Sequence, residues 1–311
     1  MALLIVLSVL GLATLAVAAD HLVLGCGRLA ERLGLEPVVV GVVVIGFGTS
    51  APELVVAGTA GLQGQADLAV GSLVGSNIIN LTLILGVGGL VAPLAVRSSV
   101  LRREAPLSLA AVTVFAVALL YGLDTPAGIG LVLALAGALA LLLRFARAAP
   151  RDAVAGETTD YLSTAVRPRL AVEVFRTIAA LAATLAGAHV LVTGASELAL
   201  RGGVPPEVVG FTLVAAGTSL PELVTAIQAQ RRGDGDLLVG NLLGSNLVNS
   251  LAGGAVIAFT AGTPALAPAV IAAMVGVSGV TWALLARGRR LSRGESLLLL
   301  ILYVALLPLI A

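Results

Sequence analysis

Residues 22–80 can be laid over residues 191–249 without a gap, at a constant offset of 169, and 30 of the 59 positions are identical. A duplication of this kind obliges the two copies to fold alike. The matched pairs include Thr49 with Thr218, Ser50 with Ser219, Pro52 with Pro221 and Glu53 with Glu222. Ser76 with Ser245 and Asn80 with Asn249 follow at the same offset. These polar residues interrupt apolar runs such as "VVVGVVVIGFGTSAPELVVAG", so the fold must bury a proline, hydroxyls and a carboxylate twice over.

The rest of the chain says what medium it is built for. It is 59% hydrophobic and 11% charged, with a mean hydropathy of +1.08. Soluble domains carry about 25% charged residues. Such a chain is a multi-pass membrane protein with the lipid bilayer as its surroundings. A net charge of +1 leaves no basis for nucleic acid as a partner. The single cysteine, Cys26, excludes an internal disulfide and a cysteine metal cluster.

About 20 apolar residues cross a bilayer. That length places ten spans at 2–25, 36–61, 68–92, 105–121, 126–146, 171–198, 206–230, 237–259, 265–287 and 295–310. The first apolar run ends in an A-x-A-like site, but no arginine precedes it, so it reads as a membrane helix and not a cleaved leader. Of the 18 arginines, 17 fall on the side reached after helices 1, 3, 5, 7 and 9; only Arg201 lies opposite. The positive-inside rule puts that rich side in the cytoplasm and both termini outside. Each half holds an odd number of helices, so the halves enter the membrane in opposite senses. The expected fold is therefore all-α, with two inverted five-helix repeats and broken helices 2 and 7. The first repeat covers 1–148 with its motif at 46–80. A cytoplasmic linker follows at 149–170, and the second repeat covers 171–311 with its motif at 215–249.

The chemistry lies in "GTSAPEL", 48–54, and "GTSLPEL", 217–223. Proline has no N–H to donate and its ring displaces the carbonyl four residues earlier, here Gly48 or Gly217. Freed carbonyls at membrane depth must line a cavity or find partners. Thr49, Ser50 and Glu53 share a helical face at spacings of three and four. Carboxylate, hydroxyl and carbonyl oxygens together suit Ca²⁺ or Na⁺, not Zn²⁺ or Cu²⁺. The following helices, "GSLVGSNIIN" and "GNLLGSNLVN", pair a G-x-x-x-G contact surface with Ser and Asn four residues apart. Intramembrane carboxylates are expensive and point to function.

Other polar residues carry weaker signals. Asn77 and Asn246 fit either helix–helix bonding or site lining. Asp20 and His189, repeat mates in helices 1 and 6, either titrate or pair, or else sit near interfaces and clefts. Asp67 and Asp236 open helices 3 and 8, where an acid complements the dipole. Cys26 reads as a small filler between Gly25 and Gly27.

At these motifs the chain resembles the cation/Ca²⁺ antiporter superfamily, in its prokaryotic sodium/calcium exchanger branch. "GTSAPEL" with "GSNIIN" and "GTSLPEL" with "GSNLVN" look like that family's alpha-1 and alpha-2 repeats. The resemblance implies Glu53 and Glu222 as central carboxylates shared between Ca²⁺ and Na⁺. It implies the carbonyls of Thr49 and Thr218 for Ca²⁺. Ser50 and Ser76, with the carbonyl of Gly46, would form one Na⁺ site. Ser219 and Ser245, with the carbonyl of Ala215, would form its mirror, and Asn80 and Asn249 would line the middle. Where archaeal-type and potassium-dependent relatives carry an acid, this chain has Asn249, which speaks against K⁺. The "GTS-x-PE" pattern, in place of "GN-x-x-E", favours Na⁺ over H⁺.

The activity so implied is secondary-active antiport of Na⁺ against Ca²⁺, with electrogenic Ca²⁺ extrusion across a prokaryotic cell (inner) membrane. It involves no cofactor and a monomeric transport unit. Two facing carboxylates carry two negative charges, which one Ca²⁺ or two Na⁺ cancel; an empty site resists occlusion. H⁺/Ca²⁺ exchange is the alternative within transport, and a cation channel or membrane scaffold the alternative outside it. An enzyme is not expected, because no catalytic His or metal cluster accompanies the carboxylates.

Overall fold

The computed structural model describes residues 2–32, 50–96, 98–147, 169–231, 235–262, 264, 266–288 and 290–309. Residues 149–168 of the expected linker and the first part of the second span, with Gly46 and Thr49, lie outside the described residues.

Among the described residues ten helices follow one another, the seventh in two parts. They are α1 (Ala2–Arg32), α2 (Ala51–Leu62), α3 (Ala66–Val91), α4 (Ser98–Tyr121) and α5 (Thr125–Arg147). The second half has α6 (Leu170–Gly202), α7a (206–218) with α7b (Leu220–Arg231), α8 (235–260), α9 (Pro268–Gly288) and α10 (Arg293–Leu306). Six stretches, in α3, α4, α5, α6, α8 and α9, are long and apolar enough by themselves to cross a membrane.

Two differences from the expected spans have one cause. Helix α1 runs on to Arg32, so Arg28 and Arg32 are helical and not in a loop. Helix α4 begins at Ser98, ahead of Arg102 and Arg103. An apolar-length ruler stops at the first charges, but a helix can continue past them: Arg28 is buried against Glu173, while Arg32 and Arg102 are exposed at the helix ends.

Turn residues explain the connections. Gly203, at φ +63°, ends α6 in the left-handed conformation, and Val204 N–H bonds back to Ala199 O at 3.1 Å. This is the C-terminal cap that glycine makes without a Cβ penalty. Pro206 then opens α7a at a first-turn position where no N–H is needed. Gly64, at φ +73°, turns the chain between α2 and α3 in the same way.

Helices α3 and α8 form the centre. In its most apolar stretch α3 is 94% buried, whereas α5 is only 17% buried and faces outward. Each broken helix packs against the motif helix of the other repeat: α7a lies on α3, and α2 lies on the second part of α8. Small residues permit this. A Cβ on Gly75 would sit 2.7 Å from Phe211 O and 2.8 Å from the Ala215 Cβ. Gly71 meets the backbone of Glu207 in the same way. The counterpart surface on α8 differs among the described residues. Gly240 faces the Glu104 carboxylate and Gly244 has open space.

Helices α1 and α6 run against each other along their lengths. Gly11 and Gly187 let the backbones meet, because a Cβ on Gly11 would be 2.7 Å from Leu191 N and one on Gly187 2.7 Å from Leu15 N. At the Arg-rich end a buried Glu173 pairs with Arg176 at 2.7 Å and with Arg28 of α1 at 3.6 Å. At that same end a two-residue antiparallel ladder joins Leu94–Ala95 (β1) to Arg290–Leu291 (β2).

Candidate metal-ion site

The GTS-x-PE motif produces the same local geometry in both repeats. Ser50 has φ −89°, ψ 5° and Ser219 has φ −86°, ψ 6°. Both lie in the sparsely allowed bridge region between helix and strand, where many site residues are found. The helix is jointed there and not severed. Ser219 N–H still reaches Ala215 O at 3.0 Å, and Leu223 N–H reaches Ser219 O at 3.1 Å. In the first repeat Leu54 N–H likewise reaches Ser50 O at 3.0 Å. What is lost is the bond each proline cannot donate.

A second device was not legible in the sequence. The motif helices widen into π-turns at Asn80–Ile84 in α3 and Asn249–Gly253 in α8, each opening on the repeat-equivalent asparagine. A third π-turn spans Gly210–Val214 in α7a. Single π-turns inside α-helices concentrate at functional sites. The i→i+5 turn leaves no fixed residue signature, so periodicity could not reveal it.

These joints converge on one buried polar cluster. Glu53, Glu222, Ser50, Ser76, Thr218, Ser219, Ser245, Asn80 and Asn249 are all essentially inaccessible to solvent. Ser219, one helical turn before Glu222, reaches Glu53, so the joint of the second repeat lies against the carboxylate of the first. The Ser219 hydroxyl lies 3.2 Å from Glu53 Oε1 and 3.2 Å from Ser76 Oγ. Ser76 is therefore hydrogen-bonded across the repeats. The reason is the packing of α7a on α3, which carries Ser219 to the face that bears Ser76. The carbonyl of Ala215 accepts both the Ser219 N–H and, at 3.3 Å, the Thr218 hydroxyl.

The asparagines divide into two kinds. Asn246 donates to Asn77 O at 2.9 Å and accepts from Asn80 Nδ2 at 2.9 Å. Asn77 Nδ2 in turn reaches Ser250 Oγ at 2.9 Å. Asn77 and Asn246 thus bond α3 to α8, the first of their two readings. Ser250 was not anticipated, because its repeat mate is Leu81 and the duplication gave it no weight. Asn249 makes no such bond among the described residues.

Several oxygens in the cluster are left open. Glu53 Oε2, both Glu222 oxygens, Asn80 Oδ1, Asn249 Oδ1 and Ser50 Oγ are buried with no hydrogen-bond partner among the described residues. Leaving a buried polar group unsatisfied costs about 1–3 kcal/mol, and more when it is charged. Acceptors without donors around two carboxylates form a hard-oxygen ligand set that a cation would satisfy. Among the described residues no three His, Cys, Asp or Glu side chains gather as a transition-metal site would require.

The weaker candidates are also placed. His189 Nδ1 lies 3.1 Å from Gln63 Nε2, and Ser196 bonds Gln65, so α6 is tied to the turn after α2. The side chains of Asp20, Cys26 and Asp236 lie outside the described residues. Asp67 stands in the first turn of α3, consistent with the dipole reading.

Comparison with known proteins agrees with this architecture. The sequence profile of the sodium/calcium exchanger protein family matches residues 3–146 and 173–310. The inner membrane protein YrbG of Escherichia coli strain K12 is 39% identical over 246 residues, 78% of this chain and 75% of the relative. The putative antiporter CaxA of Alkalimonas amylolytica is 36% identical over 246 residues, 78% and 76% of the two chains. The sodium/calcium exchanger MaX1 of Methanosarcina acetivorans is 28% identical over 274 residues, 77% and 78%. A solved structure of the sodium-calcium exchanger NCX_Mj superposes with a TM-score of 0.65 at 28% identity, covering 100% of both chains.

Proposed function

The chain belongs to the sodium/calcium exchanger protein family, a family of membrane cation/Ca²⁺ exchangers, and from that premise we propose that it exchanges Na⁺ for Ca²⁺ by alternating access. The observation that carries this reading is the buried pair Glu53 and Glu222, one from each repeat, with three of their four oxygens open among the described residues. Ca²⁺ is held by both carboxylates, with Asn80 and Asn249 alongside and the carbonyls of Thr49 and Thr218 completing the set. Na⁺ sites flank it. Ser219 and Ser76 serve one with Glu53, and Ser50 and Ser245 serve the other by pseudo-symmetry, with the carbonyls of Ala215 and Gly46. For Ala215 to act as a ligand, the Thr218 hydroxyl turns away from it.

Charge decides what moves. Two ionised carboxylates in a dry site repel, and each buried ion costs several kcal/mol without a partner. One Ca²⁺ neutralises both; two Na⁺ do the same, and a third leaves one positive charge. Only loaded forms then occlude, which makes exchange obligatory. The charge carried in a three-for-one cycle couples to voltage at about 2.3 kcal/mol per 100 mV, so inward Na⁺ flow expels Ca²⁺. The 1–148 and 171–311 repeats work as mirrored halves about the 149–170 linker, as a monomer in the cytoplasmic membrane with both termini outside.

The deciding experiment is Ca²⁺ uptake into proteoliposomes under an outward Na⁺ gradient, then under a pH gradient alone. Uptake with Na⁺ and none with protons supports the proposal. Uptake driven only by the pH gradient replaces Na⁺ by H⁺, since two protons also neutralise two carboxylates. Ca²⁺ current without a counter-ion makes the protein a channel, and no Ca²⁺ flux removes the transport reading.

A further inference from the structure

Helices α1 and α6 meet closely at Gly11 and Gly187, then leave a trough between them toward the Arg-rich end. Its walls are Ala13 and Val17 on one helix and Ala179 and Ala183 on the other. His21 and Arg176 line its polar end. The ridges beside it, including Leu10, Ile178, Leu181 and Leu185, are exposed apolar side chains. In a membrane such ridges face acyl chains, so the trough opens to lipid and not to water.

The polar end has an unused side. Arg176 gives one guanidinium nitrogen to Glu173 at 2.7 Å, yet 31% of its side chain remains exposed. Glu173 is already shared with Arg28. His21 is exposed on the opposing helix. An open apolar groove lined at one end by a guanidinium and an imidazole is complementary to one molecule class abundant around it, a phospholipid. Basic pockets between transmembrane helices on the arginine-rich side hold anionic headgroups.

We propose that the α1–α6 trough is a binding site for an anionic phospholipid of the leaflet on the Arg-rich side. One acyl chain lies along Ala13, Val17, Ala179 and Ala183, and the phosphate sits on Arg176 and His21. The occupant fills space that alanines leave empty, at the contact between the two longest helices. Neither residue belongs to the ion site, and the inference does not depend on which counter-ion is exchanged.

The test is native mass spectrometry of delipidated protein titrated with phosphatidylglycerol or with phosphatidylcholine of the same acyl chains. The wild type is expected to retain one phosphatidylglycerol in preference to phosphatidylcholine. Arg176→Gln should weaken that binding about fivefold, the contribution of one basic residue to anionic-lipid attraction, and remove the preference. Ala183→Leu, which keeps the ion pair with Glu173 and fills the trough, should reduce binding of both lipids alike. Unchanged phosphatidylglycerol binding in Ala183→Leu overturns the proposal, whatever Arg176→Gln does. Full competition by inorganic phosphate also overturns it, because the ligand would then be a free anion.

Discussion

The hydroxyl of Ser219 lies 3.2 Å from Glu53 Oε1, joining a residue of the second repeat to the carboxylate of the first. The same hydroxyl touches Ser76 at 3.2 Å. The second motif therefore completes the surroundings of the first repeat's carboxylate.

That contact makes Ser219 the residue through which Na⁺ selectivity should be altered. Ser219→Ala removes a hydrogen bond to a buried carboxylate and one oxygen from the proposed Na⁺ site. A hydrogen bond to a charged group contributes about 1.5–3 kcal/mol, so the Na⁺ concentration for half-maximal exchange should rise about tenfold or more. Ca²⁺–Ca²⁺ self-exchange, measured with radioactive Ca²⁺, should change less. Equal losses in both assays would mean that Ser219 only supports the fold.

Glu53→Gln and Glu222→Gln each remove one of the two charges that Ca²⁺ must balance. Both variants should insert and unfold normally while Ca²⁺ uptake falls to background. Flux near wild type in both would place the cation elsewhere. The substitution keeps the side chain's shape, so a failure to transport is assignable to charge.

Asn246 is the bridge between the two central helices, donating to Asn77 O and accepting from Asn80. Asn246→Leu takes a donor from the buried Asn77 carbonyl and leaves the buried Asn80 amide N–H without its acceptor. At about 1–3 kcal/mol each, thermal unfolding in detergent should fall by several degrees or more. Asn249→Leu removes a side chain with no partner among the described residues, and should spare stability while impairing transport. The reverse pattern would exchange the roles given to these two asparagines.

Packing at the α3–α7a crossing can be tested on one glycine. Gly75→Ala puts a methyl against Phe211 O and Ala215, and overpacking of this kind costs about 1–3 kcal/mol. Gly137→Ala on α5 meets nothing within 4 Å and should leave both the unfolding temperature and transport unchanged. Similar behaviour of the two variants would show that α3 and α7a do not depend on close approach.

The sequence made the helices and the two acids legible because the constraints on them are strong. Bilayer thickness sets span length, and an intramembrane carboxylate stands out against Val and Leu. The offset of 169 tied Glu53 to Glu222 before any coordinates. It could not say that Ser76 would meet Ser219, because a linear alignment pairs equivalent residues and carries no information on which helices touch. Nor could it reveal the buried pairing of Arg28 with Glu173. A ruler of apolar length ends the first span at 25, short of Arg28, whereas α1 runs on to Arg32 and brings Arg28 to Glu173 on α6.

The widened turns at Asn80 and Asn249 change how each motif helix should be drawn. One extra residue in a turn shifts the angular phase of everything after it by about 100°. A single helical-wheel diagram of α3 or α8 is therefore false past its asparagine, and the side chains beyond belong on a rotated wheel. A one-residue deletion within 249–253 would restore a regular turn and keep Gly254 on Phe115, whereas closing the turn to α with the extra residue retained would swing Gly254 out of that contact by about 100°. Mutational scans of these segments need to be indexed in two frames, with the asparagine as the point where the count restarts.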